Sequence, residues 1–238
     1  MTIGRTQPRR PRLVPSSTTA PPREQVLHAA AQLFVAKGFS ATSTREIAER
    51  VGIRQASLYY HFSGKDEILA ELLERSVRPT VDRVERIEKL TAAESPETAL
   101  YLLALVDIHT LAEAPDNIGT LATHPDVTSS EAFDAFRRIR AELAGAYGRI
   151  ASRAAAPGVA AAADPSHLGE MLLHLVEATT SLRGSGVPID DATAAVIAST
   201  CLRACGIPDS RIAPASLSAA AVIDQVRSAG VQRLDHGR

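Results

Sequence analysis

Side chains that could read the edges of base pairs lie within, or shortly before, the segment 54–61, Arg-Gln-Ala-Ser-Leu-Tyr-Tyr-His. Gln55 carries the donor–acceptor pair that suits adenine, and the guanidinium of Arg45 suits N7 and O6 of guanine. Ser57 can bond to more than one base, and the methyl group of Ala56 can contact the methyl group of thymine. These residue types in so short a stretch predict direct readout in a DNA major groove.

Hydroxyl and cationic groups that suit phosphate oxygens lie around those residues. Contacts to phosphates position a protein on DNA without reading its sequence. The alternative is an amphipathic helical hairpin whose tyrosine edge binds another protein, but the caps, the turn and the polar face agree in register with DNA binding. We expect the polar groups to be exposed. The candidate phosphate-binding residues are Ser43, Thr44, Tyr59, Tyr60, His61 and Lys65.

Two short helices around a glycine turn must present these side chains. Ser43 and Glu46 form an S-x-x-E capping box, which predicts a helix that runs to Val51. Gly52 supplies the turn, and the second helix covers roughly residues 54–62. This is the pattern of a helix-turn-helix, in which the second helix enters the major groove. The apolar residues that we expect between the helices are Ile47, Val51, Ile53, Leu58 and Phe62.

One helix should precede this pair and another should follow it. Residues 22–37 carry apolar side chains at helical spacing, and Gly38 follows as a stop signal. Ser63 and Asp66 resemble the cap of a fourth helix, which Pro79 should kink or end. The DNA-binding unit is therefore predicted to span residues 22–68.

Residues 23–69 resemble the DNA-binding domain of the TetR family of bacterial transcriptional regulators, over about one fifth of the chain. The resemblance implies an all-helical homodimer whose two heads read a near-palindromic operator. It also implies a C-terminal body that dimerises through its last two major helices and usually encloses a small-molecule inducer. The matching residues are Ala29-Ala30, Leu33-Phe34, Lys37-Gly38-Phe39, Thr42-Ser43, Ile47-Ala48, Val51-Gly52-Ile53, Ser57-Leu58-Tyr59-Tyr60-His61-Phe62, Lys65 and Leu69.

The family's functional positions can be carried over residue by residue. Arg54 departs from the pattern, since the family often has a serine there that caps the recognition helix, and Arg54 becomes a candidate phosphate contact instead. The base-reading positions fall on Arg45, Gln55, Ala56 and Ser57. The phosphate-binding positions fall on Thr44, Tyr59, Tyr60, His61 and Lys65.

The rest of the chain has the composition of a helical protein. Aromatic residues make up 4% of the sequence and tryptophan is absent, so the core must come mainly from Ala, Leu, Val and Ile, which favours an all-α fold. Residues 69–238 are predicted to form one helical regulatory, ligand-binding and dimerisation domain. Residues 1–21 are rich in proline and arginine and should be disordered, either as a solvated tail or start-site artefact or as a basic arm that contacts DNA.

Charge is divided unevenly between these parts. Residues 1–76 contain 11 Lys and Arg against 7 Asp and Glu, whereas residues 77–238 contain 15 against 20. A basic N-terminal part joined to an acidic C-terminal part suits a protein that contacts DNA phosphates through its N-terminal part only.

The middle helices of the body are the expected walls of a ligand site. A largely apolar cavity with a few convergent polar groups is the usual site for a small molecule. Ordinary core packing is the competing explanation for each of these residues, and His174 with Glu177 also has a spacing that a metal could use. The candidates for a small organic inducer are Tyr101, Leu105, His109, Phe133, Phe136, Arg140, His174 and Glu177.

The helices at about 165–182 and 190–205 are the predicted dimer interface, because their small residues would allow two subunits to approach closely. About half of these residues are expected to serve the core of a single subunit instead. Cys201 and Cys205 are expected to be small apolar residues, and a redox pair is the alternative. The interface candidates are Ala178, Leu182, Ala194, Val196, Ile197, Ala198 and Cys201.

The sequence therefore predicts a homodimeric, ligand-released repressor of transcription. The alternative is a constitutive regulator or activator whose body binds protein partners. We find no catalytic motif, and we expect no enzyme activity, cofactor or metal. The chain has neither a signal peptide nor a run of about 18 apolar residues, which predicts a cytoplasmic protein that does not enter a membrane.

Overall fold

The N-terminal part of the chain, called the head here and spanning residues 22–68, consists of three helices and the start of a fourth. A computed structural model of the protein describes residues 20–122, 124–125, 127 and 130–228. The predicted arm of residues 1–21 lies outside the described residues, apart from Ala20 and Pro21. The first helices are α1 (Pro22–Lys37), α2 (Thr44–Val51), α3 (Gln55–His61) and α4 (Lys65–Val81).

The body continues as helices, and the described residues contain no strand, which confirms the all-α prediction. Two short 3₁₀ segments, Pro115–Leu121 and Glu131–Phe133, connect the second and third of the body helices that follow α4. These helices are α5 (Val84–Leu90), α6 (Pro96–Glu113), α7 (Asp134–Ala154), α8 (Pro157–Ala162), α9 (Pro165–Gly184), α10 (Asp191–Ala204) and α11 (Asp209–Ser228).

Side chains cap several helix starts, including the predicted one at Ser43. The hydroxyl of Ser43 accepts a hydrogen bond from the amide of Glu46 at 3.2 Å, and Ser95 accepts one from Thr98 at 3.4 Å. Asp190 caps α10 by accepting from the amide of Thr193 at 2.8 Å. Such caps satisfy amide groups that have no partner within the helix.

The predicted Ser63–Asp66 cap of α4 is wrong. Glu67, one residue further along, bonds to the amide and the hydroxyl of Ser63 at 2.6 and 2.8 Å, while Gly64 occupies the capping position without a side-chain bond. Pro79 lies inside α4, which ends two residues later at Val81.

The last helix, α11, begins at Asp209, and Pro214 is accommodated within its first two turns. Proline lacks an amide donor, so its cost is smallest near a helix start, where the amides have no carbonyl partner.

A shared apolar core holds the head together. Phe34 of α1, Ile47 of α2, Leu58 of α3 and Ile68 of α4 are fully buried, as the spacing predicted for the two middle helices. Gly52 joins α2 to α3 in a left-handed conformation (φ 80°), which glycine adopts at little cost. The turn therefore fixes the direction in which α3 leaves α2.

In the body, α6 is surrounded by α4, α7, α9, α10 and α11. Thirteen of its 18 residues are buried, so it has no continuous polar face. The helices α7 and α9 approach so closely that a Cβ atom on Gly169 would lie 2.1 Å from the carbonyl oxygen of Ala144, and one on Gly148 would lie 2.3 Å from that of Pro165. These two glycines permit the crossing.

A buried polar cluster joins three helices inside the body. The carboxyl group of Asp107 on α6 accepts hydrogen bonds from the hydroxyls of Thr80 on α4 and Tyr147 on α7, both at 3.0 Å. Burial raises the pKa of Asp107 to about 7, and the two hydrogen bonds oppose that shift only in part. The cluster fixes the relative positions of the three helices.

Within the described residues, no helix combines the length and apolar character that crossing a lipid bilayer requires.

Candidate nucleic-acid interface

The recognition helix α3 turns its apolar residues inward and its polar residues toward solvent. Leu58 is fully buried and Phe62, which follows the helix, is almost fully buried. Arg54, Gln55, Ala56 and Ser57 are all exposed, as are Tyr59 (50%) and Tyr60 (86%). The side chains predicted to meet DNA thus share the solvent-facing side of α3.

Hydrogen bonds between α2 and α3 align three of the predicted contacts. The hydroxyl of Thr44 accepts a hydrogen bond from the side-chain amide nitrogen Nε2 of Gln55 at 3.0 Å and lies 3.2 Å from the hydroxyl of Tyr59. These bonds join the start of α2 to successive turns of α3. They orient Gln55, the candidate reader of adenine, before DNA arrives.

Arg45 reaches the same surface from the first turn of α2. Its Nε donates to Glu49 at 2.9 Å, but the two side chains are 76% and 64% exposed. Exposed pairs of this kind contribute little stability, so Arg45 can exchange Glu49 for a base edge at small cost.

Candidate phosphate-binding residues lie at both ends of α3. Arg54 occupies the capping position and makes no side-chain cap, which leaves its guanidinium exposed beside the helix start. At the other end the rings of Tyr60 and His61 meet edge to face, with centroids 5.2 Å apart. Both ends therefore present donors beside the face that carries Gln55.

Lys65 differs from the expectation that it would be an exposed phosphate donor. The residue is half-buried, and its ammonium donates to the carbonyl oxygens of Phe39, Ser40 and Thr42 at 2.9, 3.3 and 3.0 Å. It also lies 4.5 Å from the centroid of the Phe39 ring. Its three hydrogens thus have protein partners, and we revise the phosphate assignment to a structural one in which Lys65 holds the loop after α1.

Replacing Lys65 by methionine tests this revision. We expect the free energy of unfolding to fall by about 1–3 kcal/mol, because carbonyl groups lose a charged donor. The salt dependence of DNA binding should stay the same, whereas loss of a phosphate contact would reduce its slope by about one. Denaturant titration and binding at several salt concentrations measure the two effects, and Lys89→Met, at an exposed pair with Glu85, is the control.

The eight candidates for a ligand site separate into groups instead of lining one cavity. Tyr101, Leu105, Phe133 and Phe136 are buried in the core, as the competing explanation of core packing held. His109 lines a small cavity of about 270 Å³ between α4 and α6, and burial lowers the pKa of its imidazole.

Arg140, His174 and Glu177 form an ion network on the outer side of α7 and α9. Arg140 donates to Glu177 at 2.8 and 3.0 Å and to Glu170 at 2.9 Å, and Nδ1 of His174 lies 2.9 Å from Glu177. The prediction of a single inducer pocket on these residues is therefore wrong for the described part of the chain.

A cavity of about 480 Å³, which no sequence pattern predicts, lies between the head and the body. Residues of α1, α2 and α4 form one side of it, and residues 114–118 form the other. Residues from so many distant segments give no common sequence signal. The one local signal is the turn-forming run Pro115-Asp116-Asn117 after α6.

The helices predicted to form a dimer interface present a mixed surface. Ala194, Ile197, Ala198 and Cys201 are buried within one subunit, whereas Ala178 and Val196 are exposed and Leu182 is half-buried. Met171 on α9 and Val196 on α10 are 55% and 64% exposed. Apolar side chains therefore remain available on this helix pair for a second subunit.

Both cysteines are buried and unpaired. Burial raises the pKa of Cys201 to about 12 and that of Cys205 to about 11, which disfavours the reactive thiolate. Across the part of the chain that the structure describes, no group of three or more potential ligands is arranged to hold a metal.

Comparison with known proteins agrees with this arrangement. Residues 26–72 match the family described as "Bacterial regulatory proteins, tetR family". The curated "HTH-type transcriptional repressor KstR2" of Mycolicibacterium smegmatis is 36% identical over 80 residues, which are 34% of this chain and 38% of that protein. The chain spans about a quarter to two fifths of the length of the curated relatives that it matches.

Solved structures extend the likeness to the body. The crystal structure of Mycobacterium smegmatis AmtR is 33% identical, with a TM-score of 0.73, and the match covers 92% of this chain and 98% of AmtR. A SmeT–triclosan complex, 20% identical with a TM-score of 0.56, covers 77% of this chain and 90% of SmeT and shares the fold alone. The helix-turn-helix match and the nearly full-length likeness to AmtR together show that this chain belongs to the TetR family of bacterial transcriptional regulators, which bind DNA and are not enzymes.

Proposed function

We propose that the protein is a homodimeric repressor that a small organic molecule releases from a near-palindromic operator. The observation that carries the proposal is the solvent-facing side of α3, where Gln55 and Ser57 are exposed beside Thr44 and Tyr59. Residues 22–68 act as the DNA-binding unit and residues 69–238 as the regulatory unit in this proposal.

A two-fold arrangement explains why the operator should be nearly palindromic. The exposed apolar residues Met171 and Val196 support pairing through α9 and α10. Two copies of α3 held about 34–36 Å apart enter successive major grooves on one side of the duplex. Each then reads the same half-site in opposite directions.

Release requires a ligand that binds more tightly to the form whose heads are wrongly spaced, since equal affinity for both forms shifts nothing. A change in the tilt of α4 would alter the spacing, because α4 belongs to the core of the head and also contacts α6 and α7 in the body. KstR2 is named a repressor and SmeT was solved with triclosan, and these relatives support both parts of the proposal by analogy.

Replacing Gln55 by alanine tests the recognition surface. We expect operator binding to weaken by about 1–3 kcal/mol, with relaxed selectivity at one base pair in each half-site, because a bidentate contact to a base is lost. Binding to random DNA should hardly change. Operator and random duplexes are titrated at the same salt concentration, with Gln225→Ala on the exposed side of α11 as the control.

Two results would contradict the assignment. Equal losses on operator and random DNA would place Gln55 outside the base-reading surface. If the purified protein binds no DNA duplex at low ionic strength, the whole proposal is wrong.

A further inference from the structure

The cavity between head and body has the size and lining of a small-molecule site. Its volume of about 480 Å³ lies within the range that drug-sized ligands occupy. The apolar wall includes Leu27 and Ala31 of α1, Val51 of α2, Leu72 of α4 and Ile118 of the 3₁₀ segment. The cavity is a cleft bordered by parts of the protein that must move relative to each other if the heads change their spacing.

One polar atom in this lining lacks the hydrogen bond that its burial demands. Oδ2 of Asp116 is buried without a hydrogen-bond partner. Nδ1 of His28 lies 3.1 Å from it, but the geometry does not meet that of a hydrogen bond. A buried carboxylate oxygen in this state gains from a donor that enters the cavity.

The neighbouring side chains that line the cavity already have partners. Arg75 donates to Glu24 at 2.8 and 2.9 Å and to Glu71 at 2.6 Å. Nη2 of Arg50 donates to Oε1 of Gln32 at 2.8 Å. That bond directs the amide nitrogen of Gln32 to Nε2 of His28, at 2.9 Å.

His28 lies between Gln32 and Asp116 in this lining. Its Nε2 is 2.9 Å from the side-chain amide nitrogen of Gln32, and its Nδ1 is the ring atom that faces Asp116.

We propose that the inducer binds in this junction cavity, and that it is an apolar primary amine whose ammonium pairs with Asp116. A charge-assisted hydrogen bond to a buried carboxylate is stronger than one between neutral groups, and the apolar wall accepts a hydrocarbon portion. The assignment of this ligand as the inducer rests on the proposed function, but its binding does not.

The backbone of the segment that carries Asp116 is fixed to α9 on its other side. Asn117 donates to the carbonyl oxygen of Thr180 at 2.8 Å. Arg183 of α9 donates to the carbonyl oxygens of Leu111 at 2.6 Å and Ala114 at 3.0 Å. A Cβ atom on Gly119 would lie 2.8 Å from the Thr180 side chain, which shows how closely the segment approaches α9.

This attachment explains how occupancy would reach the DNA. The segment cannot retreat from a ligand without breaking its bonds to α9, so the opposite wall, formed by α1 and α4, must move instead. Since α9 is a helix of the proposed dimer interface, the movement changes the position of each head relative to the dimer axis.

The experiment uses decylamine, decanol and decanoate as probes that share one hydrocarbon chain and differ in the head group. Calorimetric titration of the full-length protein without DNA, below the aggregation concentration of each probe, gives the three dissociation constants. We expect decylamine to bind at least tenfold more tightly than decanoate, with decanol between them. Equal affinity for decylamine and decanoate would overturn the proposal.

Variants of Asp116 locate the binding. Asp116 has φ 54°, a left-handed conformation that asparagine and glycine tolerate. Asp116→Asn should weaken the binding of decylamine at least tenfold and change the binding of decanol by less than threefold. Asp116→Gly repeats the test if the first variant folds poorly. Asp82→Asn, at the exposed end of α4, is the control and should change neither. Unchanged decylamine binding in both Asp116 variants would place the amine elsewhere.

A parallel operator titration separates this proposal from the proposed function. If decylamine binds through Asp116 and releases the operator, both stand. If it binds through Asp116 but leaves operator affinity unchanged, the site stands and its role as the inducer site fails. If the protein binds the operator but the Asp116 variants do not weaken decylamine binding, the proposed amine site is wrong and the repressor proposal stands.

Discussion

Replacing Gly169 by alanine is expected to cost about 3 kcal/mol or more of the free energy of unfolding. The added Cβ would lie 2.1 Å from the carbonyl oxygen of Ala144 and 2.8 Å from the amide nitrogen of Gly148, and both atoms belong to the backbone of α7. A side chain could rotate away, but a helix backbone can relieve the contact only if α7 and α9 separate. Overpacking usually costs about 1–3 kcal/mol, and a backbone contact belongs at the upper end or beyond.

Denaturant unfolding, followed by helical circular dichroism, measures this loss. Gly145→Ala is the matched control on α7, because its Cβ would meet only the end of the Arg149 side chain at 3.8 Å. That variant should be unchanged or more stable by up to about 1 kcal/mol, since alanine favours a helix interior. Equal behaviour of the two variants would show that the close crossing does not contribute to stability.

Asp107 should make the protein less stable as the pH rises from about 4 to about 7. The folded state holds the proton, because burial raises the pKa of Asp107 to about 7 against an ordinary value of 3.8. Between these values the unfolded chain releases a proton that the folded chain retains, so the contribution of this group to the free energy of unfolding falls with pH. The slope reaches about 1.4 kcal/mol per pH unit and vanishes above about pH 7.

Comparison of Asp107→Asn with the unchanged protein isolates this contribution. The variant should lose the fall between pH 4 and pH 7, whatever its stability at one pH, because asparagine does not titrate. Glu177 raises the pKa of Asp107 and Arg140 lowers it, and both remain in the variant. Asp82→Asn, at an exposed position, serves again as the control. Parallel curves for Asp107→Asn and the unchanged protein would mean that Asp107 is ionised in the folded state.

The sequence was most informative where one short segment determines the structure. Ser43, Gly52 and the apolar spacing of Ile47 and Leu58 act within a few residues of the helices that they define, and the helix-turn-helix followed from them. The exposure of Gln55 could be predicted as well, because a helix that buries Leu58 must direct the side chain of Gln55 toward solvent.

The residues of the proposed ligand site could not be predicted in the same way. Helix α6 is apolar nearly all round, so its spacing does not distinguish a side chain in the core from one that lines a cavity. Lys65 differs from its prediction because a lysine on a polar face is normally solvated, and only the folded chain brings the carbonyl groups of residues 39–42 around it. The junction cavity likewise depends on distant segments that meet only in the folded protein.

Under the proposed function, the bonds between α1 and α4 favour release by a rigid-body tilt of the head over release by its partial unfolding. Lys65 ties the start of α4 to the loop after α1, and further along α4 Glu71 pairs with Arg23 and Arg75 pairs with Glu24 near the start of α1. A head fastened at both ends keeps the shape of its recognition helix in either state. An induced protein should therefore retain its weak affinity for arbitrary DNA and lose only the advantage that simultaneous engagement of two half-sites provides.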